Sequence, residues 1–111
     1  ARRMLEIGGA GPQDVVADLG SGDGRIPILA AQEFGARAIG VELDRELHTM
    51  ALENAHRAGI GARVTLINGD LFETDLTDVT LLTIYLPQSL TLQLRRRILN
   101  DMRPGTRVVS H

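Results

Sequence analysis

The run Asp18-Leu19-Gly20-Ser21-Gly22-Asp23-Gly24 sets three glycines at alternate positions between two carboxylates. Glycines so spaced let the backbone turn sharply and come within contact distance of a ligand. A helix following directly would aim its first, unpaired N–H groups at the same point. An ordinary glycine-rich turn has no need of the flanking acids. The dinucleotide fingerprint is G-x-G-x-x-G, and it faces a pyrophosphate. Here the spacing is G-x-G-x-G, and Asp18 and Asp23 would repel phosphate. They suit a cation. S-adenosylmethionine carries a sulfonium and an α-ammonium and has no phosphate. The charge pattern therefore favours it over NAD, and an NAD-binding oxidoreductase domain becomes the disfavoured alternative.

Glu42 ends a stretch otherwise made of apolar residues and glycine, Ala38 to Val41. A carboxylate at that strand end can accept hydrogen bonds from both hydroxyls of a ribose. Asp44, two residues on, reads only as a helix cap. Asp70 and Leu71 follow the next apolar run, in Asn68-Gly69-Asp70-Leu71. An acid or its neighbouring backbone at this place can read an adenine amino group, and the same residues make good turn chemistry. On local sequence both readings stand; the glycine loop and Glu42 turn the reading toward adenine.

Other polar residues carry less. His48 and His56 are too far apart on one helix to chelate a metal through adjacent turns, and the H-E-x-x-H pattern is absent. They read as surface residues, and no metal is expected. Arg95-Arg96-Arg97 reads as the solvated face of an amphipathic helix.

These residues need elements to position them. Short apolar runs alternate with helical stretches, which predicts an α/β fold with a parallel sheet. Strands are expected at Val15 to Leu19, Ala38 to Glu42, Val64 to Asn68, Val79 to Tyr85, and from Arg107 to His111. A short helix around Met4, Leu5 and Ile7 should close at Gly8 and Gly9. Ile26 to Phe34 reads as a helix, with Pro27 tolerated in its first turn and Gly35 ending it. Asp44 caps a helix running to Ala58 with Leu47, Met50, Ala51 and Ala55 as its buried stripe. Leu90, Leu94, Ile98 and Met102 mark the last helix, stopped by Pro104-Gly105. The expected sheet order is 3-2-1-4-5, with the ligand at the carboxyl edge beside the first strand, where the order reverses.

Composition bounds the alternatives. The 111 residues suit one domain, and 43% apolar against 23% charged residues argues for a packed core over disorder. With no Trp, one Tyr and two Phe, that core must be aliphatic. Zero cysteines exclude disulfides, Cys-rich metal sites and a Cys nucleophile. A net charge of −2 provides no global field for nucleic acid, though it leaves room for a local basic patch. There is no signal peptide pattern and no apolar run of membrane-spanning length. These features point to a cytoplasmic protein.

Taken together, the motifs resemble the class I, Rossmann-like, S-adenosylmethionine-dependent methyltransferases over the whole chain. Asp18 to Gly24 resembles their first motif, Glu42 matches their ribose-binding acid and Asp70 their adenine-proximal acid. A narrower resemblance is to the archaeal broad-specificity protein-lysine methyltransferases and their mitochondrial and bacterial relatives. Asp18 to Ile26, Gly40-Val41-Glu42, Arg2 to Ile7 and Arg103 to His111 carry it. The resemblance implies S-adenosylmethionine as cofactor, bound by Asp18, Gly20, Ser21, Gly22, Asp23, Gly24, Glu42, Asp70 and Leu71. It implies methyl transfer to a nucleophilic acceptor such as a protein lysine. The alternatives are an RNA or small-molecule methyltransferase, or a cofactor-binding fragment without turnover.

In this superfamily the end of the fourth strand borders the transferred methyl group, so Tyr85 and Pro87 are candidates to line an acceptor channel. Tyr85 also reads as a strand-end aromatic covering the core. Amino-group methyltransferases often carry an Asn or Asp, Pro, Pro, aromatic motif there. Tyr85-Leu86-Pro87-Gln88 departs from it, which speaks against methylation of the adenine-N6 type. His111 is expected to border the site without a catalytic role. The superfamily core has seven strands, and this sequence ends inside its fifth. The resemblance therefore implies a core truncated at its C-terminus, lacking the final antiparallel hairpin. Its exposed Val108-Val109 edge would invite self-association through the fifth strand.

Overall fold

The computed structural model describes residues 1–85 and 88–110. In chain order the elements are α1 (Arg2–Ile7), β1 (Val15–Leu19), α2 (Arg25–Phe34), β2 (Arg37–Glu42), α3 (Arg45–Ala58), β3 (Val64–Asn68), a 3-10 turn (Leu71–Glu73), β4 (Leu81–Ile84), α4 (Gln88–Asp101) and β5 (Arg107–Ser110). The five strands form one sheet in the order β3-β2-β1-β4-β5. Every neighbouring pair is parallel. β1 lies between β2 and β4, so the strand order reverses beside it, as the sequence predicts.

Strand alternation splits the core between the two faces. Val16, Ala38, Val64 and Leu81 turn to one face and meet Leu5 of α1 with Ala30 and Ala31 of α2. Ala17, Leu19, Val41, Leu82 and Ile84 turn to the other and meet Leu94 of α4 with Leu76 and Val79. Both faces are covered, which is why these strands are apolar nearly throughout.

Helix ends follow their signals. The Asp44 carboxylate accepts from the N–H groups of Glu46 (2.9 Å) and Leu47 (3.1 Å), and Gly59 closes α3. Two local expectations are corrected. β4 is shorter than Val79 to Tyr85: Val79 belongs to a turn, its N–H donating to Leu76 O at 3.1 Å, and Tyr85 lies past the strand end. Met50 is 49% exposed, so the buried stripe of α3 narrows to Ala51 and Ala55 with Leu47 half-buried. α3 lies so close to the glycine loop that only small side chains fit: a Cβ on Gly24 would sit 3.0 Å from Ala51 Cβ. The 3-10 turn after Asp70 carries no helical periodicity and was not expected. Among the described residues no helix is long and apolar enough to cross a membrane.

Candidate cofactor site

β1, β2, β3 and β4 end at Leu19, Glu42, Asn68 and Ile84, all on one edge of the sheet. The candidate residues are grouped along that edge. The glycine loop leaves β1 through Gly20, Gly22 and Gly24, all with positive φ (81°, 57° and 85°). A Cβ at Gly22 would meet no atom within 4 Å, so this part of the loop faces open space. A cavity of about 380 Å³ lies against the loop, lined by Asp18, Gly20, Ser21, Gly22 and Asp23 with Tyr85.

The loop's donors are largely spent. The N–H groups of Gly20 and Ser21 bond Val41 O at 2.9 and 3.0 Å, Gly24 N–H bonds Ser21 O at 3.0 Å, and Gly22 N–H bonds Glu42 Oε1 at 2.7 Å. At the start of α2, the Arg25 N–H bonds Asp23 Oδ1 at 3.2 Å and Pro27 has none to give. The Ile28 N–H bonds Gly24 O at 3.0 Å, so the free N–H groups expected at the helix start narrow to that of Ile26. A pyrophosphate needs several such donors, whereas here the carboxylates of Asp18 and Glu42 stand beside a loop whose glycine N–H groups are already bonded.

Asp18 is the strongest of these acceptors. It is only 2% exposed, at the end of β1, and Thr83 Oγ1 of β4 donates to its Oδ1 at 2.7 Å. Its carboxyl is pushed up to about 6, chiefly by burial, with the Thr83 bond opposing the rise and the charge of Glu42 adding to it. Asp23 is different. Its carboxylate pairs with the Arg25 guanidinium at 3.1 Å, which holds its pKa below the ordinary value. The loop's uncompensated negative charge therefore rests with Asp18 and Glu42.

Glu42 bridges two loops: Oε1 accepts from Gly22 N–H, and Oε2 accepts from Asp44 N–H at 3.0 Å. Each carboxylate oxygen keeps a further lone pair. Asp70 also sits at this edge, but it lines a neighbouring cavity with Ile39, Ile67 and Gly69. Its carboxylate accepts from Phe72 N–H at 2.8 Å and caps the 3-10 turn, so its turn chemistry is realised. Leu71 is half-buried in that turn. Tyr85 is 62% exposed and lines the same cavity as the glycine loop, so it is no lid on the core. Pro87 and His111 lie outside the described residues.

Sequence reasoning missed four residues here. Thr83 is fully buried and holds Asp18; the signal was a hydroxyl in an otherwise apolar strand. Asn68 Nδ2 donates to Glu42 O (2.8 Å) and Leu43 O (3.1 Å), tying β3 to the turn after β2. Leu43 is 74% exposed beside Glu42. Arg97 corrects the reading of Arg95-Arg96-Arg97 as one solvated face: Arg95 and Arg96 are exposed, whereas Arg97 turns inward to the backbone of the 3-10 turn.

Residues 18–111 match the family model of the ANTKMT methyltransferase domain. The chain belongs to this family. It is 41% identical to a protein-lysine N-methyltransferase of Saccharolobus islandicus over 111 residues, which is 99% of this chain and 69% of that protein. It is 40% identical to the mouse adenine nucleotide translocase lysine N-methyltransferase over 96 residues, covering 86% of this chain and 42% of the mouse protein. The structure matches that of an RNA methyltransferase from Salinibacter ruber, solved with S-adenosyl-L-homocysteine, with a TM-score of 0.96 and 46% identity. The match covers 98% of this methyltransferase domain and 71% of the Salinibacter chain.

Proposed function

We propose that this methyltransferase domain transfers a methyl group from S-adenosylmethionine to the side-chain amine of a protein lysine. The observation that carries the cofactor is the acceptor-lined cavity. The N–H groups of Gly20, Ser21, Gly22 and Gly24 are bonded within the protein and the buried Asp18 carboxyl lines the cavity, which fits a cationic sulfonium and ammonium better than a pyrophosphate. The lysine acceptor is supported by the 41% identity to the Saccharolobus protein over nearly the whole chain.

In this reading Gly20, Ser21, Gly22 and Asp23 shape the wall beside the methionine end, and Gly24 starts α2 behind it. Asp18 attracts the ammonium. Glu42 accepts from the ribose hydroxyls, and Asp70 and Leu71 stand on the adenine side. The bound cofactor supplies a methyl group on a sulfonium leaving group. The protein aligns the acceptor with it and excludes water. Tyr85, exposed beside the glycine loop, lines the acceptor's approach. A lysine must be neutral to attack, and its ordinary pKa of about 10.4 falls on desolvation in the approach.

A second reading is methylation of RNA, supported by the 46% identity to the Salinibacter protein. Against it stands a net charge of −2, since nucleic-acid binding rests on phosphate neutralisation. The test is transfer of labelled methyl groups into cell lysate. Label that is lost to protease and survives nuclease supports the protein acceptor; the reverse supports RNA.

A further inference from the structure

The Arg97 guanidinium reaches from α4 to the 3-10 turn. Nη1 donates to Leu71 O at 2.8 Å and Nη2 donates to Thr74 O. Nε is held by Asp101 one turn along the same helix, at 3.0 Å. Only 21% of the Arg97 side chain is exposed, against 48% for Asp101. The turn is thus gripped at both ends. The Asp70 carboxylate caps its start through Phe72 N–H, and Arg97 bonds Leu71 O at its first residue, which also accepts from Thr74 N–H at 3.4 Å, and Thr74 O just past its end. So short a turn has few internal bonds, the one to Leu71 O is long at 3.4 Å, and a carbonyl past such an end needs an outside partner.

We infer that Arg97 is a positioning residue for cofactor recognition: through the Leu71 and Thr74 carbonyls it fixes the backbone that presents Asp70 and Leu71 to adenine. The inference rests on the adenine-side reading of that turn. A planar guanidinium can span two carbonyls at once, whereas a lysine ammonium is a single point charge. Arg97→Met keeps the aliphatic stem and removes every donor. Arg97→Lys keeps the charge and part of the reach.

Affinity for S-adenosylhomocysteine and for S-inosylhomocysteine, its analogue with a 6-oxo in place of the 6-amino group, separates this role from a structural one. The full chain is titrated as wild type, Arg97→Met, Arg97→Lys and Asp70→Ala. We expect about tenfold weaker binding of S-adenosylhomocysteine in Arg97→Met, a smaller loss in Arg97→Lys, and a wild-type preference for the adenosyl ligand that shrinks in Arg97→Met. In methyl transfer the KM for S-adenosylmethionine should rise while kcat at saturation holds. If Arg97→Met, or Arg97→Lys should the former not fold, lowers only the melting temperature and leaves KM and the ligand preference unchanged, the inference is overturned. Weakened binding in Asp70→Ala with wild-type binding in both Arg97 variants overturns the inference alone. A wild type with no preference between the two ligands, and no effect of Asp70→Ala, overturns the adenine-side reading and the inference with it.

Discussion

Thr83 Oγ1 donates a 2.7 Å hydrogen bond to Asp18 Oδ1 between register partners of β4 and β1, with both side chains buried. In the proposed function this carboxyl awaits a cationic partner, and its burial costs the folded state when none is bound. Burial pushes its pKa up to about 6, above an unfolded value of about 3.9. Below both values the carboxyl is neutral in either state and the cost is absent. It grows as pH rises between them and is complete above about 6. Asp18→Asn should therefore stabilise the unliganded protein by ~1–3 kcal/mol at pH 7.5, and hardly at pH 3.5. Denaturant unfolding at the two pH values checks this; an equal effect at both would count against it.

The same linkage acts on binding with the opposite preference. A cationic cofactor favours ionised Asp18, so affinity for S-adenosylmethionine should fall as pH drops through 6. Asp18→Asn should bind more weakly at pH 8 and lose most of this pH dependence. Titration at pH 5 and pH 8 decides it, and a variant with the wild-type pH profile would assign the dependence to another group.

Gly22 and Gly24 separate folding from binding. Both have positive φ, a conformation costing an L-residue roughly 1–2 kcal/mol. A Cβ at Gly24 also presses on Ala51, while one at Gly22 enters open space. Gly24→Ala should therefore lower the melting temperature more than Gly22→Ala. If the cofactor occupies the space beside Gly22, Gly22→Ala should lose more affinity for S-adenosylhomocysteine. Identical rankings in both measurements would contradict the placement.

The opposite edge of the sheet supplies a control. Arg107 Nη1 donates to Gly8 O (2.6 Å) and Gly9 O (3.0 Å), and its Nη2 pairs with Asp14, which also accepts from Thr80 Oγ1 at 2.7 Å. These residues gather where β1, β4 and β5 begin. Arg107→Met should cost ~1–3 kcal/mol of stability by removing the donor to two carbonyls and the cation beside the half-buried Asp14 carboxylate, which keeps its bonds from Thr80 and Gly11. Its dissociation constant for S-adenosylhomocysteine should stay at the wild-type value, and calorimetry would expose any change.

The sheet order followed from the doubly wound pattern of alternating strands and helices. The strands, the glycine loop and the position of Glu42 were legible because each rests on a local signal. These are an apolar run of strand length, alternate glycines, and an acid at the end of an apolar strand. What was not legible depends on pairing across the chain. Nothing near Thr83 in sequence shows that it faces Asp18, because their contact is a matter of register between β1 and β4. Arg97 could not be told from Arg95 and Arg96 by composition, since helix rotation alone turns it inward. Met50 fits the helical period but is 49% exposed, and its neighbour Ala51 is the residue that packs against the loop. Asp70 makes the turn bond to Phe72 N–H and would suit an adenine contact with the same carboxylate, so local sequence cannot separate the two.

The central claim is that S-adenosylmethionine binds at this sheet edge with Glu42 on its ribose. Calorimetric titration of S-adenosylmethionine into the wild type and Glu42→Ala tests it most directly, with circular dichroism to show that the variant is folded. Loss of a charged hydrogen-bond acceptor should weaken binding by ~1–3 kcal/mol. An unchanged dissociation constant in folded Glu42→Ala, or tighter binding of NAD than of S-adenosylmethionine by the wild type, would contradict the account.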